Sequence, residues 1–193
     1  VLAALRKASL SGRGQVVDAA MTDGAISLMT NFVSQQMRGV FSEKRGSNLL
    51  DGGAPYYAVY ETADGQHVTL GAIEPQFYAD FCERVGLPAD LRAAQNDRAQ
   101  WPRMHEEFAP IFKGRRRAEW TALLEGTDVC FAPVLPLSQA QAHPHNVARQ
   151  AFVEVNGVNQ PAPAPRFSRT PSRIQGAAPS QATPADEVLA RSA

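Results

Sequence analysis

The sequence predicts an α/β chain in which pieces of a large α/β domain flank a small α+β domain, and three stretches carry that prediction. An apolar run at 15–21, QVVDAAM, has the pattern of a strand buried in a parallel sheet. Two short segments rich in Tyr, Val and Thr, at 54–61 and 66–73, read as strands, and helical patterns follow them. From Pro161 onward the composition turns to Pro, Ala and Ser, with Pro163, Pro165, Pro171, Pro179 and Pro184. Such a stretch crosses between bodies of structure and does not build a core.

Residues 1–9, VLAALRKAS, open inside an amphipathic helical pattern without a capping residue, as a cut through a helix would leave them. A Gly-rich turn at 11–14 leads into the apolar strand. Residues 22–40 read as a long helical segment with Ile26, Met29, Phe32, Val33 and Met37 at apolar positions, and a polar loop follows at 41–48. Ala63-Asp64-Gly65 is a hairpin signal, and Pro75 opens a helix expected over 75–85. Further helices are expected near 102–112 and 117–124, a strand at 129–135 and a short last helix at 186–191. The expected domain edges are 1–21 for the end of the large α/β domain and 22–55 for a linking helix and loop. The small α+β domain is expected at 56–143, a return linker at 144–163, and a segment returning to the large domain at 164–193.

Bulk properties narrow the class of function. The chain has 19 Lys and Arg against 19 Asp and Glu, hence no net charge. That argues against a nucleic-acid or membrane-surface binder, since both partners attract a basic excess. No apolar run approaches the roughly 20 residues of a membrane span, and no signal-peptide pattern is visible, so a cytoplasmic enzyme is expected. Cys82 and Cys130 sit in apolar sequence far apart, and buried free thiols are expected over a disulfide.

Glu74 is the position with most to say about chemistry. It stands between the second strand and the helix opened by Pro75, at the N-cap, where Ser, Thr, Asp or Asn is preferred. The positive end of the helix dipole favours its charged form, and the longer side chain can reach outward as an acceptor. The plainer alternative is a surface cap that only complements the dipole. Tyr57 and Ile73 lie near the same edge of the hairpin and suit either an acyl pocket or core packing. Asp51, Gly52 and Gly53 could offer backbone N–H groups to a substrate, or form a structural turn.

Several motifs give a family resemblance: LLDGGAPYY at 49–57, ETADG at 61–65, GAIEPQFY at 71–78, QNDR at 95–98, PAPRFSRT at 163–170 and GRGQVVDAAM at 12–21. Together they resemble the α-methylacyl-CoA racemase branch of the family III CoA-transferases, the CaiB/BaiF-like superfamily. GAIEPQFY is the most specific of them. The resemblance implies the C-terminal half of a two-domain fold, in subunits interlocked as a homodimer. It also implies interconversion of (2R)- and (2S)-2-methylacyl-CoA thioesters, with CoA as part of the substrate and neither metal nor redox cofactor. The catalytic His and Asp of that branch lie upstream, the Asp in a Gly-Asp-Phe-Gly-Gly type motif, and neither has a counterpart here. Only the family's glutamate carries over, onto Glu74, and a fragment without the other two is expected to be inactive alone. A CoA-transferase, with an Asp carrying a covalent intermediate, and a non-catalytic dimerisation module are the alternatives.

The remaining candidates read more plainly. His143 and His145, flanking Pro144, have no Cys or Glu at ligand spacing and read as a helix-end loop. His67 is expected on the hairpin surface and His105 on a polar helix face beside Glu106 and Glu107. Arg115, Arg116 and Arg117 could attract CoA phosphates, but read as solvated charges at a helix start.

Overall fold

Side-chain alternation in two paired strands sets the core of this chain. In the computed structural model, which describes residues 1–176 and 182–190, three helices come first: α1 (Leu2–Ser11), α2 (Met21–Leu28) and α3 (Thr30–Met37). The hairpin β1 (Tyr57–Glu61) and β2 (His67–Gly71) follows, then α4 (Pro75–Val85), α5 (Ala89–Ala93), α6 (Trp101–Lys113), α7 (Arg117–Leu124) and β3 (Phe131–Val134). After these come α8 (Leu137–Ala142), α9 (Pro144–Ala148), β4 (Phe152–Val155), β5 (Val158–Pro161) and α10 (Ala185–Ala190). Backbone contacts divide the chain into Val1–Pro133 and Val134–Ala193.

β1 and β2 pair antiparallel with Tyr57 opposite Gly71 and Tyr60 opposite Val68, and β3 lies on the far side of β2. With a period of two, Tyr60, Val68 and Leu70 point into the core, while Tyr57, Val59 and Thr69 line the other face. α6 answers with a helical stripe, Trp101, Met104, Phe108 and Phe112, all buried. α4 adds Tyr78, Phe81 and Cys82, and α7 adds Trp120 and Leu124. Phe112 sits at the centre: its ring stacks on Tyr60 at 4.5 Å and on Phe81 at 5.9 Å, and lies 5.2 Å from Trp120.

Local chemistry closes each element. Gly65 takes φ 71° in the hairpin turn, and Thr62 Oγ1 donates to Asp64 Oδ1 at 2.6 Å. The tip is held to the α6–α7 junction by Ala63 N–H donating to Arg115 O and by Lys113 Nζ, 2.6 Å from Glu61 Oε1. α4 stops at Gly86 (φ 70°), where Leu87 N–H returns to Cys82 O at 2.8 Å in a Schellman arrangement. Arg116 is the N-cap of α7, and Arg115 lies over the Trp120 ring at 5.0 Å, so these arginines serve a helix start.

Four expectations need correction. Residues 15–20 form no strand and Val16 is exposed; a strand needs a neighbour to take its N–H and C=O groups, and among the described residues none lies alongside. The segment 22–40 is two helices, interrupted at Met29, whose N–H is shared between Ala25 O and Ile26 O while Thr30 Oγ1 donates to Ser27 O. The linker expected at 144–163 contains α9 and a hairpin, β4–β5, turned by Asn156-Gly157 with φ 52° and 78°. Asn-Gly is the strongest short hairpin signal, since both residues accept the positive φ that a tight turn requires. Cys82 is buried as expected, but Cys130 is exposed, and both thiols are free. Arg191 and Pro179 fall outside the described residues.

Replacing Phe112 by Ala removes three ring contacts at once and should lower stability by about 3–5 kcal/mol. Chemical denaturation should show this as a shifted midpoint with little change in slope.

Candidate active site

Glu74 occupies the N-cap of α4 with extended backbone (φ −71°, ψ 139°), and Pro75 follows at the first helical position. Its carbonyl starts the helix by accepting from Phe77 N–H and Tyr78 N–H at 3.1 and 3.0 Å. Its side chain makes no capping hydrogen bond and is exposed. A glutamate is one methylene too long to fold back easily on the N–H groups of the first turn, which leaves the carboxylate for a partner elsewhere.

The loop before β1 is organised by Asp51. One carboxylate oxygen accepts from Asn48 N–H at 2.8 Å and Gly53 N–H at 3.2 Å, the other from Asn48 Nδ2 at 2.8 Å and Gly46 N–H at 3.2 Å. Burial pushes the Asp51 carboxyl up, but the hydrogen bonds from Asn48, Gly53 and Ser47 together outweigh it and hold it below its ordinary 3.8. Gly52 has φ 89°, and Gly53 lies so close to the 47–48 backbone that a Cβ there would meet Asn48 O at 2.6 Å. Gly53 N–H is thus already engaged, by Asn48 O and by Asp51 Oδ1.

His105 fastens this loop to α6, a correction to the polar face expected for it. Its Nε2 lies 3.1 Å from Gly52 O and 3.2 Å from Gly53 O. Carbonyls only accept, so Nε2 carries a hydrogen and donates. Nδ1 is 3.3 Å from Tyr60 Oη, whose hydroxyl donates to Pro55 O at 2.6 Å. Burial pushes the Tyr60 phenol well above its ordinary range, so the hydroxyl remains a donor.

An open cavity of about 430 Å³ lies against the sheet face opposite the core. Asp51, Gly52 and Tyr57 line it, together with Val59, Thr69 and Cys130. Three of the six expected site residues are therefore gathered on one cavity, whereas Glu74, Ile73 and Gly53 are not among its lining residues. Cys130 links the two groups. Its carbonyl accepts from Gly71 N–H at 2.9 Å, and desolvation, then the carboxylates of Glu74 and Asp128, push its thiol up. Cys130 has φ 56°, uncommon for a residue with a Cβ. Elsewhere His67 is exposed, as expected, and His143 Nδ1 accepts from His145 N–H at 3.3 Å, capping α9.

Cys130, His105 and Gln95 were not picked out by sequence reasoning as parts of this site. Gln95 lay in the QNDR motif, yet nothing in the motif says where its side chain goes. His105 stands four residues after Trp101 and three before Phe108, at helical spacing beside the buried stripe, but which loop its ring meets is decided by what packs against the helix.

A hairpin, a strand-to-helix junction ending in a carboxylate and a glycine loop against one sheet face are the parts this fold brings together. They lie within a match to CoA-transferase family III that extends over residues 1–183, and the chain belongs to that family. It is similar to the alpha-methylacyl-CoA racemase of Mus musculus, 42% identical over 173 residues that make up 89% of this chain and 45% of the relative. The Homo sapiens racemase is 39% identical over 174 residues, again 89% of this chain and 45% of the relative. The chain thus spans less than half the length of the curated racemases it matches. A solved CAIB/BAIF family protein from Brucella suis shares the fold, with a TM-score of 0.71 and 19% identity over 98% of this chain and 51% of that one.

Gly53→Ala should cost on the order of 2 kcal/mol, because the new methyl meets backbone that cannot step aside; thermal unfolding would read it. For Asp51 the sign follows from its lowered folded-state value. The stability it contributes is present above its ordinary 3.8 and is lost as pH falls through the lower folded value. The difference in thermal midpoint between the parent and Asp51→Asn should therefore be largest near neutrality and shrink in acid.

Proposed function

We propose that this chain is the glutamate-bearing half of an α-methylacyl-CoA racemase, and that Glu74 is its contribution to proton transfer. The observation that carries the reading is the Glu74 carboxylate, exposed at a helix N-cap it does not cap. The two racemases that match most of the chain at 42% and 39% identity support it.

The α C–H of a thioester is a far weaker acid than a protonated imidazole or carboxyl, and each pKa unit of mismatch costs about 1.36 kcal/mol. Inversion therefore needs two bases flanking the carbon and donors that stabilise the enolate oxygen. The family resemblance makes an upstream His and Asp the bases. Glu74 then pairs with the His across a subunit interface, orients its ring and stabilises its protonated form, as the acid does in catalytic triads. Tyr57 and Ile73 wall the acyl group, and the Asp51-Gly52-Gly53 loop, whose Asp51 and Gly52 border the same cavity as Tyr57, is a shaped backbone turn. CoA enters as part of the 2-methylacyl thioester, and the reaction uses no metal or redox group.

This reading places the chain in an interlocked homodimer acting in the cytoplasm. Leu5, Val17, Ile26, Met29 and Val33 are exposed apolar side chains on and around α1–α3, which suits elements covered by more protein. Among the described residues no helix is long and apolar enough to cross a membrane.

In the full-length gene product that carries this chain, Glu74→Gln should slow incorporation of solvent deuterium at the α-carbon of a 2-methylacyl-CoA by on the order of 10²-fold. An unchanged rate would remove Glu74 from the reaction. Should the parent move CoA from a thioester to a free acid without exchanging the α-proton, the transferase reading takes its place.

A further inference from the structure

The sheet ladder ends at Gly71, so the carbonyls of Ala72 and Ile73 must find donors outside it before α4 begins. Both accept from one side chain. Gln95 Nε2 lies 2.9 Å from Ile73 O and 3.3 Å from Ala72 O. Ala72 is fully buried and Gln95 is only 6% exposed, so the bond to Ala72 O is buried and that to Ile73 O partly so. Gln95 is held in turn: its own carbonyl accepts from Trp101 Nε1 at 2.9 Å, and Trp101 is 5% exposed. Arg98 closes the same turn, with its guanidinium 5.3 Å from the Trp101 ring and Nη1 donating to Val40 O at 2.8 Å.

The direction of the Glu74 side chain depends on this arrangement because the side chain makes no capping hydrogen bond of its own. Its aim is inherited from the backbone on either side. On the C-terminal side Pro75 and the first turn of α4 hold the chain; on the N-terminal side the two peptide planes at Ala72 and Ile73 do, and Gln95 pins both. We infer that Gln95 is a positioning residue for Glu74, and that it does not touch the substrate. This rests on the catalytic reading of Glu74 above.

The side-chain chemistry is specific. An amide nitrogen carries two hydrogens, which suits two carbonyl acceptors. A glutamate of the same shape would set an acceptor against acceptors, and a methionine of similar length would leave both carbonyls without their donor. A displacement of about 1 Å at a reacting group, even from a distant change, can cost on the order of 10² in rate.

The test compares Gln95→Met, Glu74→Gln and the double variant in the full-length gene product, reading kcat and KM for α-proton exchange together with the thermal midpoint. Gln95→Met should lower kcat on the order of ten-fold or more and keep KM for the acyl-CoA within about twofold. The double variant should exchange no more slowly than Glu74→Gln alone, since without the carboxylate nothing remains to be aimed. A parental kcat in Gln95→Met overturns the inference. So does a double variant that loses the product of both single effects, or a loss in Gln95→Met that follows the fall in thermal midpoint and disappears on cooling. If Gln95→Met does not fold, Trp101→Phe removes only the N–H donated to Gln95 O and keeps most of the ring. A fall in kcat with the same non-additivity toward Glu74→Gln is then expected, and additivity overturns the inference. A parental rate in Glu74→Gln is a different failure: it overturns the function proposed for Glu74, and the role of Gln95 falls with it.

Discussion

The stack of Phe112 on Tyr60 is the contact on which the rest of the first unit depends. It joins the inner face of the hairpin to α6, and through Phe81 and Trp120 it brings α4 and α7 onto the same centre. Flat rings at this spacing leave little freedom for the sheet to slide along the helix. The hairpin's other face is thereby turned outward at a defined height, and the cavity bordered by Tyr57, Val59 and Thr69 is a by-product of that orientation.

α6 and the turn before it do more than supply core. Three of their polar groups reach back toward the candidate site: Gln95 to the carbonyls of Ala72 and Ile73, Trp101 Nε1 to Gln95, and His105 to the carbonyls of Gly52 and Gly53. Each holds main-chain carbonyls that no strand or helix uses. A loop and a strand-helix junction, which would otherwise be the most mobile parts of the unit, are in this way given the rigidity of the core. Asp51 completes the effect from inside its own loop with four accepted hydrogen bonds. Buried polar atoms lacking a hydrogen-bond partner are absent among the described residues, so these clamps leave no unsatisfied polar side-chain group behind.

Legibility followed the range of the interactions involved. The hairpin with its Ala63-Asp64-Gly65 turn, the helix from Pro75 to Val85 and the helix from Arg117 to Leu124 rest on short-range signals, and they lie where those signals put them. The N-cap position of Glu74 belongs with them, since Pro75 alone specifies the helix start. The 15–20 segment failed for the opposite reason: its apolar pattern is a statement about neighbours, and none lies beside it among the described residues. The Asn156-Gly157 hairpin is legible in its turn pair, although the prolines after it dominate the local composition.

By itself the sequence determined the order and type of most elements, the residue at each cap and turn, and, through its motifs, the family. Those properties are local: a dihedral preference or a capping chemistry acts within a few residues. The tertiary structure alone decided that His105 faces the glycine loop, that Gln95 meets the residues before Glu74, and that Cys130 stands exposed beside the cavity with a positive φ. Each of these joins positions widely separated in the chain, and a side chain's partner across such a gap is set by how the helices and the sheet pack, which no single stretch of sequence contains.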